Sequence, residues 1–272
     1  MNIRTIGNAA LDLLYPPDLY CICCGKIIDS ARTYRLCNDC MDGIKWISSR
    51  TCAKCGKRMA DIDPGGVCFN CREHPHFFDR GYTCTEYGTH ERALVFALKY
   101  DGRTDIAGTI GEIMYDRMTA EFDAEEIAER YDLVLPVPVH RHKRRIRGYN
   151  QAALIAESFT ARICNAIRNN NISSDSRRLQ DALRCDDSIL VRTRETHMMR
   201  SLGPDARREN IRGAFGIREG RQSDIAGKKI LLIDDIYTTG ATVDEISSVL
   251  KAAGAFCVDI LTFAAGADMV KS

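Results

Sequence analysis

Residues Lys229 to Leu250, KILLIDDIYTTGATVDEISSVL, limit the fold more than any other stretch of this chain. Ile230 to Ile233 form a continuous apolar run, which suits a strand covered on both faces in a parallel sheet rather than one with a solvated side. Asp234 and Asp235 stand at its carboxyl end, and Tyr237, Thr238, Thr239, Gly240, Ala241 and Thr242 make a tight, hydroxyl-rich turn. Val243, Ile246, Val249 and Leu250 then recur at helical spacing. A helix N-terminus offers free backbone N–H groups and the positive end of its dipole, so a small-residue turn before it can hold a phosphate. Gly240 lets the backbone approach closely.

The paired carboxylates are acceptor-only groups when ionised, suited to the hydroxyls of a sugar one short loop from the phosphate cradle. Strand, acid pair and TTG turn together resemble the 5-phosphoribosyl-pyrophosphate (PRPP) signature of type I phosphoribosyltransferases. The resemblance implies that Asp234 and Asp235 bind the ribose 2′ and 3′ hydroxyls and that residues 238 to 242 hold the 5′-phosphate. A metal-binding aspartate pair or a plain strand-turn-helix is the competing reading.

Ten of the thirteen cysteines fall before residue 85, so cysteine usage belongs to one region and divides the chain in two. The expected domains are 1–75 and 76–272. Cys21/Cys24, Cys37/Cys40, Cys52/Cys55 and Cys68/Cys71 are four CxxC pairs at regular intervals. A CxxC turn points two sulfurs at one centre, and two such knuckles complete the tetrahedron that Zn²⁺ accepts. Two structural zinc ions are therefore expected. Because the halves repeat, tandem pairing (Cys21/Cys24/Cys37/Cys40 and Cys52/Cys55/Cys68/Cys71) is preferred, with a cross-braced arrangement left open. Cys23, Cys84, Cys164, Cys185 and Cys257 have no evident activating partner and read as inert thiols. Trp46, the single tryptophan, reads as filling a small core beneath a zinc site.

No run of about 18 apolar residues exists, and the N-terminus carries Asp12 within its apolar part and no convincing cleavage site. The expectation is a cytoplasmic protein without a membrane span, in a compartment where thiols stay reduced. The net charge of +1 says little about partners, so local basic runs matter more.

Ile3, Ile6, Ala10, Leu13 and Leu14 predict a short amphipathic helix stopped by Pro16 and Pro17. The alternation in FDRGYTCTEYG, from Phe78, predicts a hairpin strand, and helices are expected over Arg92–Tyr100 and around Ile106 to Met114. Leu133 to Pro138 reads as a buried strand. Behind it HRHKRRIRGYNQ forms a loop with five Lys/Arg and two His before Gly148, placed where a parallel sheet binds its ligands. Arginine forks and backbone N–H groups there suit a pyrophosphate; a solvated basic turn or a nucleic-acid backbone patch is the alternative. His140 and His142 read as surface or phosphate-contacting residues. A helix from about Asn150 to Arg168 follows. Residues 169 to 187 form a polar excursion, Ser188 to Val191 a short strand, and Arg192 to Arg212 a lid poor in apolar anchors. Gly213 to Ile217 returns to the sheet, and Phe256 to Phe263 supplies the last strand.

The cysteine-rich start, LKYDGR at Leu98 to Arg103, PVPVH with RRIRGYNQ, the segment TRETHMMRSLG with RRENIRGAF, and LLIDDIYTTGAT occur in one order. Together they resemble the competence protein F (ComF) family over nearly the whole chain. The resemblance implies an α/β, type I phosphoribosyltransferase-like parallel sheet with helices on both faces, preceded by a small double zinc-ribbon domain. It also implies a link to DNA uptake during natural transformation. Arg147, Gly148, Asn150 and Gln151 match the family's RGxNQ element near the pyrophosphate, and Tyr237 to Thr242 its PRPP loop. Where relatives have glutamine in the lid, this chain has Met199.

Two functions follow. In the first, the chain is an enzyme displacing pyrophosphate from PRPP, with Mg²⁺ accompanying the ligand. Asp234 and Asp235 steady the ribose, and Arg147 and lid arginines such as Arg194 stabilise the leaving group. In the second, the chain is a non-catalytic module that holds single-stranded DNA or a nucleotide end and docks competence-machinery proteins through its ribbons. Neither the acceptor nor the oligomeric state is legible.

Overall fold

The computed structural model describes residues 19–48, 50–59, 66–170, 183–195 and 204–266. The expected helix near Leu13 and the lid residue Met199 lie outside them, as do 171–182 of the polar excursion.

The apolar run does become a central strand. Five parallel strands lie in the order β1 (Gly81–Glu86), β7 (Cys257–Ala265), β6 (Lys229–Tyr237), β2 (Leu133–Pro136) and β3 (Arg184–Cys185). Leu133 to Pro136 pair in register with Ile230 to Ile233 on one side of β6, and Val258 to Leu261 with the same residues on the other. Side chains alternate through the sheet with period two. Leu231 and Ile233 enter one core with Val134, Leu261 and Phe263, whereas Ile230 and Leu232 enter the opposite core with Leu135, Val258 and Ile260. Lack of alternation in the sequence thus reports burial of both faces.

Helices α4 (Asp105–Thr119), α5 (Ala124–Arg130) and α7 (Gln151–Asn170) cover the first face; α9 (Ala241–Ala252), flanked by α8 (Pro204–Ile211), covers the second. Helix α3 (Thr89–Tyr100) precedes α4. The start of α5 is fixed by a reciprocal cap in which the Glu126 N–H donates to Asp123 at 2.8 Å and the Asp123 N–H to Glu126 at 2.9 Å.

Three local expectations are corrected. FDRGYTCTEYG contributes β1, a parallel partner of β7 and not half of a hairpin. Its outer edge is taken by the preceding cysteine region, with Ile47 N–H donating to the Cys84 carbonyl at 3.0 Å and Glu86 N–H to that of Lys45 at 2.8 Å. Residues 213 to 217 do not rejoin the large sheet: β5 (Phe215–Ile217) pairs antiparallel with β4 (Leu190–Arg192) in a two-stranded ribbon. The basic run is a helix, α6 (Arg141–Arg147), rather than a loop. His140, which is buried, caps it by accepting from the His142 N–H at 3.4 Å, and Gly148 closes it in the left-handed conformation at φ 87°.

The cysteine region does not stand apart from this body. Cys21, Cys37 and Cys40 share the core of α4 and α7, while Cys52, Cys55, Cys68 and Cys71 share that of α9, so the region straddles the β1 edge. Short helices α1 (Asn38–Gly43) and α2 (Phe69–Glu73) carry the second knuckle of each half. Trp46 donates from its indole to the Met41 carbonyl at 3.2 Å and packs on Tyr34, with ring centroids 5.5 Å apart, filling the space between the first half and α4.

Candidate functional site: a cationic cavity at the carboxyl end of the central strand

Asp234 and Asp235 end the buried part of β6 with 8% and 3% of their surface exposed. They open onto a cavity of about 340 Å³ whose wall also holds Lys99, Lys143, Arg147, Gln151, Arg192, Thr238 and Thr242. The Asp235 N–H donates to Asp234 Oδ1 at 2.9 Å. Asp235 is ion-paired with Lys99. Burial alone would push both carboxyls up, as charge is disfavoured in a low dielectric. At Asp235 burial is the largest single effect, but the Lys99 ammonium together with hydrogen bonding to Asp234 and Gln151 outweighs it and holds the carboxyl below its usual range. At Asp234 burial and the neighbouring Asp235 charge add, so this carboxyl is raised well above the ordinary range. Like charges this close do not both ionise freely, which pushes the two carboxyls in opposite directions.

The remaining wall is cationic. Partial burial of its ammonium, with Arg192 and Arg147 nearby, lowers Lys143. Burial also lowers Arg192, whose guanidinium lies 5.2 Å from the Phe215 ring centre, with the Asp234 charge opposing the shift. Arg147 reaches Gln151 and sits 5.6 Å from the Tyr100 ring centre. Four cationic side chains facing two carboxyls leave the cavity with an excess of positive charge, which a phosphorylated ligand would neutralise.

Beside this cavity, residues 236 to 243 enclose a small hollow together with Asp234. Gly240, at φ 80°, is the residue before α9 and turns the chain so that the first residues of the helix, Ala241 to Val243, line the hollow. A Cβ at that position would lie 2.4 Å from the Tyr237 hydroxyl, so a side chain is excluded by contact as well as by φ. The strand places the acids, and the turn places the helix dipole next to them.

The structure brings Asp234, Asp235, Arg147, Gln151, Thr238 and Thr242 together on the main cavity and Thr239, Gly240 and Ala241 on the adjoining hollow. Three expected contributors, Asn150, Gly148 and Arg194, stand elsewhere, and a fourth, Tyr237, points its hydroxyl away from the ligand side. The Asn150 side chain donates to the Val137 carbonyl at 3.1 Å and accepts from Ala152 N–H at 3.1 Å, tying β2 to α7. Gly148 serves as the α6 cap. Tyr237 lines the hollow, but its hydroxyl lies 3.4 Å from His76 Nε2, within the second core. Arg194 donates to the Asn210 and Arg212 carbonyls at 3.1 and 2.8 Å, bracing the β4–β5 ribbon rather than lining the cavity. Sequence reasoning passed over Lys99, Lys143 and Arg192. Lys99 carried a signal: it lies four residues after buried Val95 on α3, and a cation on an inward face requires an anionic partner.

The cysteines form two tetrads in tandem, Cys21/Cys24/Cys37/Cys40 and Cys52/Cys55/Cys68/Cys71, with the ligand atoms of each within 4.8 Å of one another. Cys24 and Cys37 sulfurs are 3.6 Å apart, and those of Cys55 and Cys68 3.7 Å. A tetrahedron with Zn–S bonds of about 2.3 Å has an edge of about 3.8 Å, so the donor sets fit zinc. Cys52 Sγ also accepts from the backbone N–H of Cys68 at 3.2 Å and of Cys55 at 3.5 Å, bonds that favour a thiolate. The cross-braced alternative is incompatible with this grouping. By contrast, burial pushes the Cys84, Cys185 and Cys257 thiols each up to about 12, in keeping with inert roles.

Comparison with known proteins agrees with this architecture. Residues 10–72 match the double zinc ribbon domain family, and residues 200–271 match the phosphoribosyl transferase domain family. Competence protein F of Haemophilus influenzae is 25% identical over 236 residues, covering 86% of this chain and 91% of that protein. The DNA utilization protein YhgH of Escherichia coli O157:H7 is 26% identical over 200 residues, 71% of this chain and 75% of its own length. Competence protein ComFC of Streptococcus pneumoniae is 24% identical over 258 residues, 89% of this chain and 97% of its own. Among the described residues no helix is long and apolar enough to cross a membrane. The chain is a homologue of the competence protein F and YhgH proteins, a double zinc ribbon followed by a parallel-sheet phosphoribosyl transferase domain.

Proposed function

We propose that the chain binds PRPP or a closely related ribose 5-phosphate in the cavity at the end of β6, as a phosphoribosyltransferase-like component of DNA uptake or utilisation. The observation that carries the reading is the meeting of the Asp234–Asp235 pair, the 238–242 turn and four cationic side chains at one cavity. The 5′-phosphate is assigned to the helix N-terminus of α9, where backbone N–H groups and the dipole favour an anion. The ribose hydroxyls are assigned to the acid pair, where a carboxylate accepts and the protonated partner can both donate and accept. The diphosphate lies toward Lys99, Lys143, Arg147 and Arg192. Mg²⁺ would accompany the ligand beside the Asp234–Asp235 carboxyls, the acidic oxygens of the cavity wall, and would supply further positive charge to the diphosphate. Among the described residues of the cavity wall no acidic or basic group pairs with a hydroxyl or thiol as an activated nucleophile, so any transfer would rest on positioning and on cationic stabilisation of the leaving diphosphate.

Residues 1–75 serve, in this reading, as a structural zinc-ribbon part and 76–272 as the ligand-binding part of a cytoplasmic protein. A second reading has support in α6, where Arg141, Lys143, Arg144 and Arg145 are exposed beside the cavity mouth and form a track for a single-stranded DNA backbone. Calorimetric titration of the full chain with PRPP in Mg²⁺, with ribose 5-phosphate, and with a short DNA strand separates the two. PRPP binding that disappears in Asp234→Asn/Asp235→Asn supports the first reading; DNA binding alone, unaffected by that double variant, overturns it.

A further inference from the structure

The underside of the 238–242 turn is built by the second cysteine half. Asn70, between Cys68 and Cys71 on α2, donates from its side chain to the Thr239 carbonyl at 3.4 Å. The His76 ring is 1% exposed and lies between the two ends of the turn. Its Nε2 is 3.4 Å from the Tyr237 hydroxyl, and its Nδ1 is 3.4 Å from Oδ1 of Asp244 in the first turns of α9. The same Asp244 oxygen accepts from the Phe77 N–H at 2.6 Å. Phe78 stacks on His76 with centroids 4.7 Å apart and meets the Tyr237 ring edge-on at 6.3 Å. Buried Lys57, two residues after Cys55, places its ammonium 5.7 Å from the Tyr237 ring centre. Gly240 rests directly on the Tyr237 hydroxyl.

A turn that binds phosphate through backbone N–H groups works only if those groups are held in place before the ligand arrives. Here the holding contacts come from a segment whose described residues carry one five-residue helix as their regular structure, a kind of small unit that folds on its metal ligands. We propose that His76 is a positioning residue for the 238–242 turn, and that the second cysteine tetrad, through His76, Asn70 and Tyr237, sets how firmly the turn is formed. The first tetrad lies in the opposite core and has no such task. By linkage, whatever tightens the tetrad tightens the hold on a 5′-phosphate, and a bound phosphate stabilises the tetrad in return. The ligand part of this inference rests on the proposed function; the scaffold part does not.

The test uses the zinc-loaded full chain and measures backbone amide exchange over residues 238–243, alongside calorimetric affinity for ribose 5-phosphate. His76→Ala is expected to keep both zinc ions and its far-UV spectrum, to speed exchange of the turn roughly fivefold to tenfold, and to weaken ribose 5-phosphate by a similar factor, as the loss of one buried polar contact implies. His76→Gln, whose amide can still reach toward Tyr237 and Asp244, is expected to recover part of both effects. It also keeps the test open should the alanine variant fold poorly. Tyr34→Phe, which removes the 2.6 Å bond from the first half to Asp116, is expected to leave exchange of the turn unchanged. Parent-like exchange over 238–243 in both His76 variants would overturn the inference. Faster exchange in a chain that never binds ribose 5-phosphate would uphold the scaffold and remove the proposed ligand instead.

Discussion

Lys99→Met tests the electrostatics of the cavity through stability, without any ligand. Lys99 is the direct counter-ion of Asp235, whose side chain is 4% exposed, and Asp234 adjoins it on the same strand. Burial lowers the Lys99 ammonium, but the Asp235 charge outweighs this and raises it above the ordinary lysine range. The raised lysine contributes its stability in full below about pH 10 and loses it as pH climbs through the folded value. The lowered Asp235 contributes above about pH 4 and loses its share only as acid passes through its folded value. The pair is therefore intact through the neutral range. Removing one partner of a buried ion pair costs about 3–5 kcal/mol, because the remaining charge is left without compensation. For a domain of this size that corresponds to a Tm loss of about 6–20 °C. In the variant Asp235 retains its proton in the fold, and each such proton makes stability fall with rising pH by roughly 1.4 kcal/mol per unit until the group ionises. The parent already carries one group of this kind in Asp234. The deficit of Lys99→Met relative to the parent should therefore be small near pH 5 and grow toward pH 8, and Asp235→Asn added to it should restore most of the loss. Thermal scans of the three proteins at both pH values, with zinc present, decide the matter. A deficit that is absent, or equal at pH 5 and pH 8, would refute the assignment of Lys99 as the counter-charge of the acid pair.

Elemental analysis of protein purified without chelator should give two zinc ions per chain, falling to one in Cys52→Ser, with loss of cooperative unfolding when a strong chelator strips the metal; less than about one ion per chain would remove the two-site reading. Gly240→Ala combines a left-handed φ with a contact against Tyr237, and should cost about 2–4 kcal/mol in urea unfolding while weakening ribose 5-phosphate. Arg147→Ala should weaken PRPP more than ribose 5-phosphate, if the proposed assignment of the diphosphate to the cationic wall holds. Any accompanying loss in DNA affinity should shrink at high salt, each phosphate contact contributing about one counter-ion.

The sequence alone was enough for the parts of this protein in which chemistry is local. An unalternating apolar run bounded by turn residues suits a doubly covered strand, so Ile230 to Ile233 pointed to the sheet, and the acids and glycine turn that follow on the same short segment could not be far apart. CxxC spacing likewise brings two sulfurs into one turn, and the repeat favoured the tandem grouping over the cross-braced one that the structure then excluded. What only the tertiary structure decided involves residues distant in sequence. Lys99 and Asp235 are 136 positions apart, and only the packing of α3 across the carboxyl end of the sheet makes one the counter-ion of the other. Arg194 and Asn150 have the right chemistry for a phosphate or sugar, yet backbone carbonyls claim their side chains. The basic run became a helix because His140 and Gly148 could cap it, and β1 became a parallel edge strand of the large sheet because its outer side is covered by the cysteine region. His76 illustrates the limit: nothing beside it in the chain marks it, and its place beneath the turn exists only because the second cysteine half folds against α9, bringing together groups whose association no local propensity encodes.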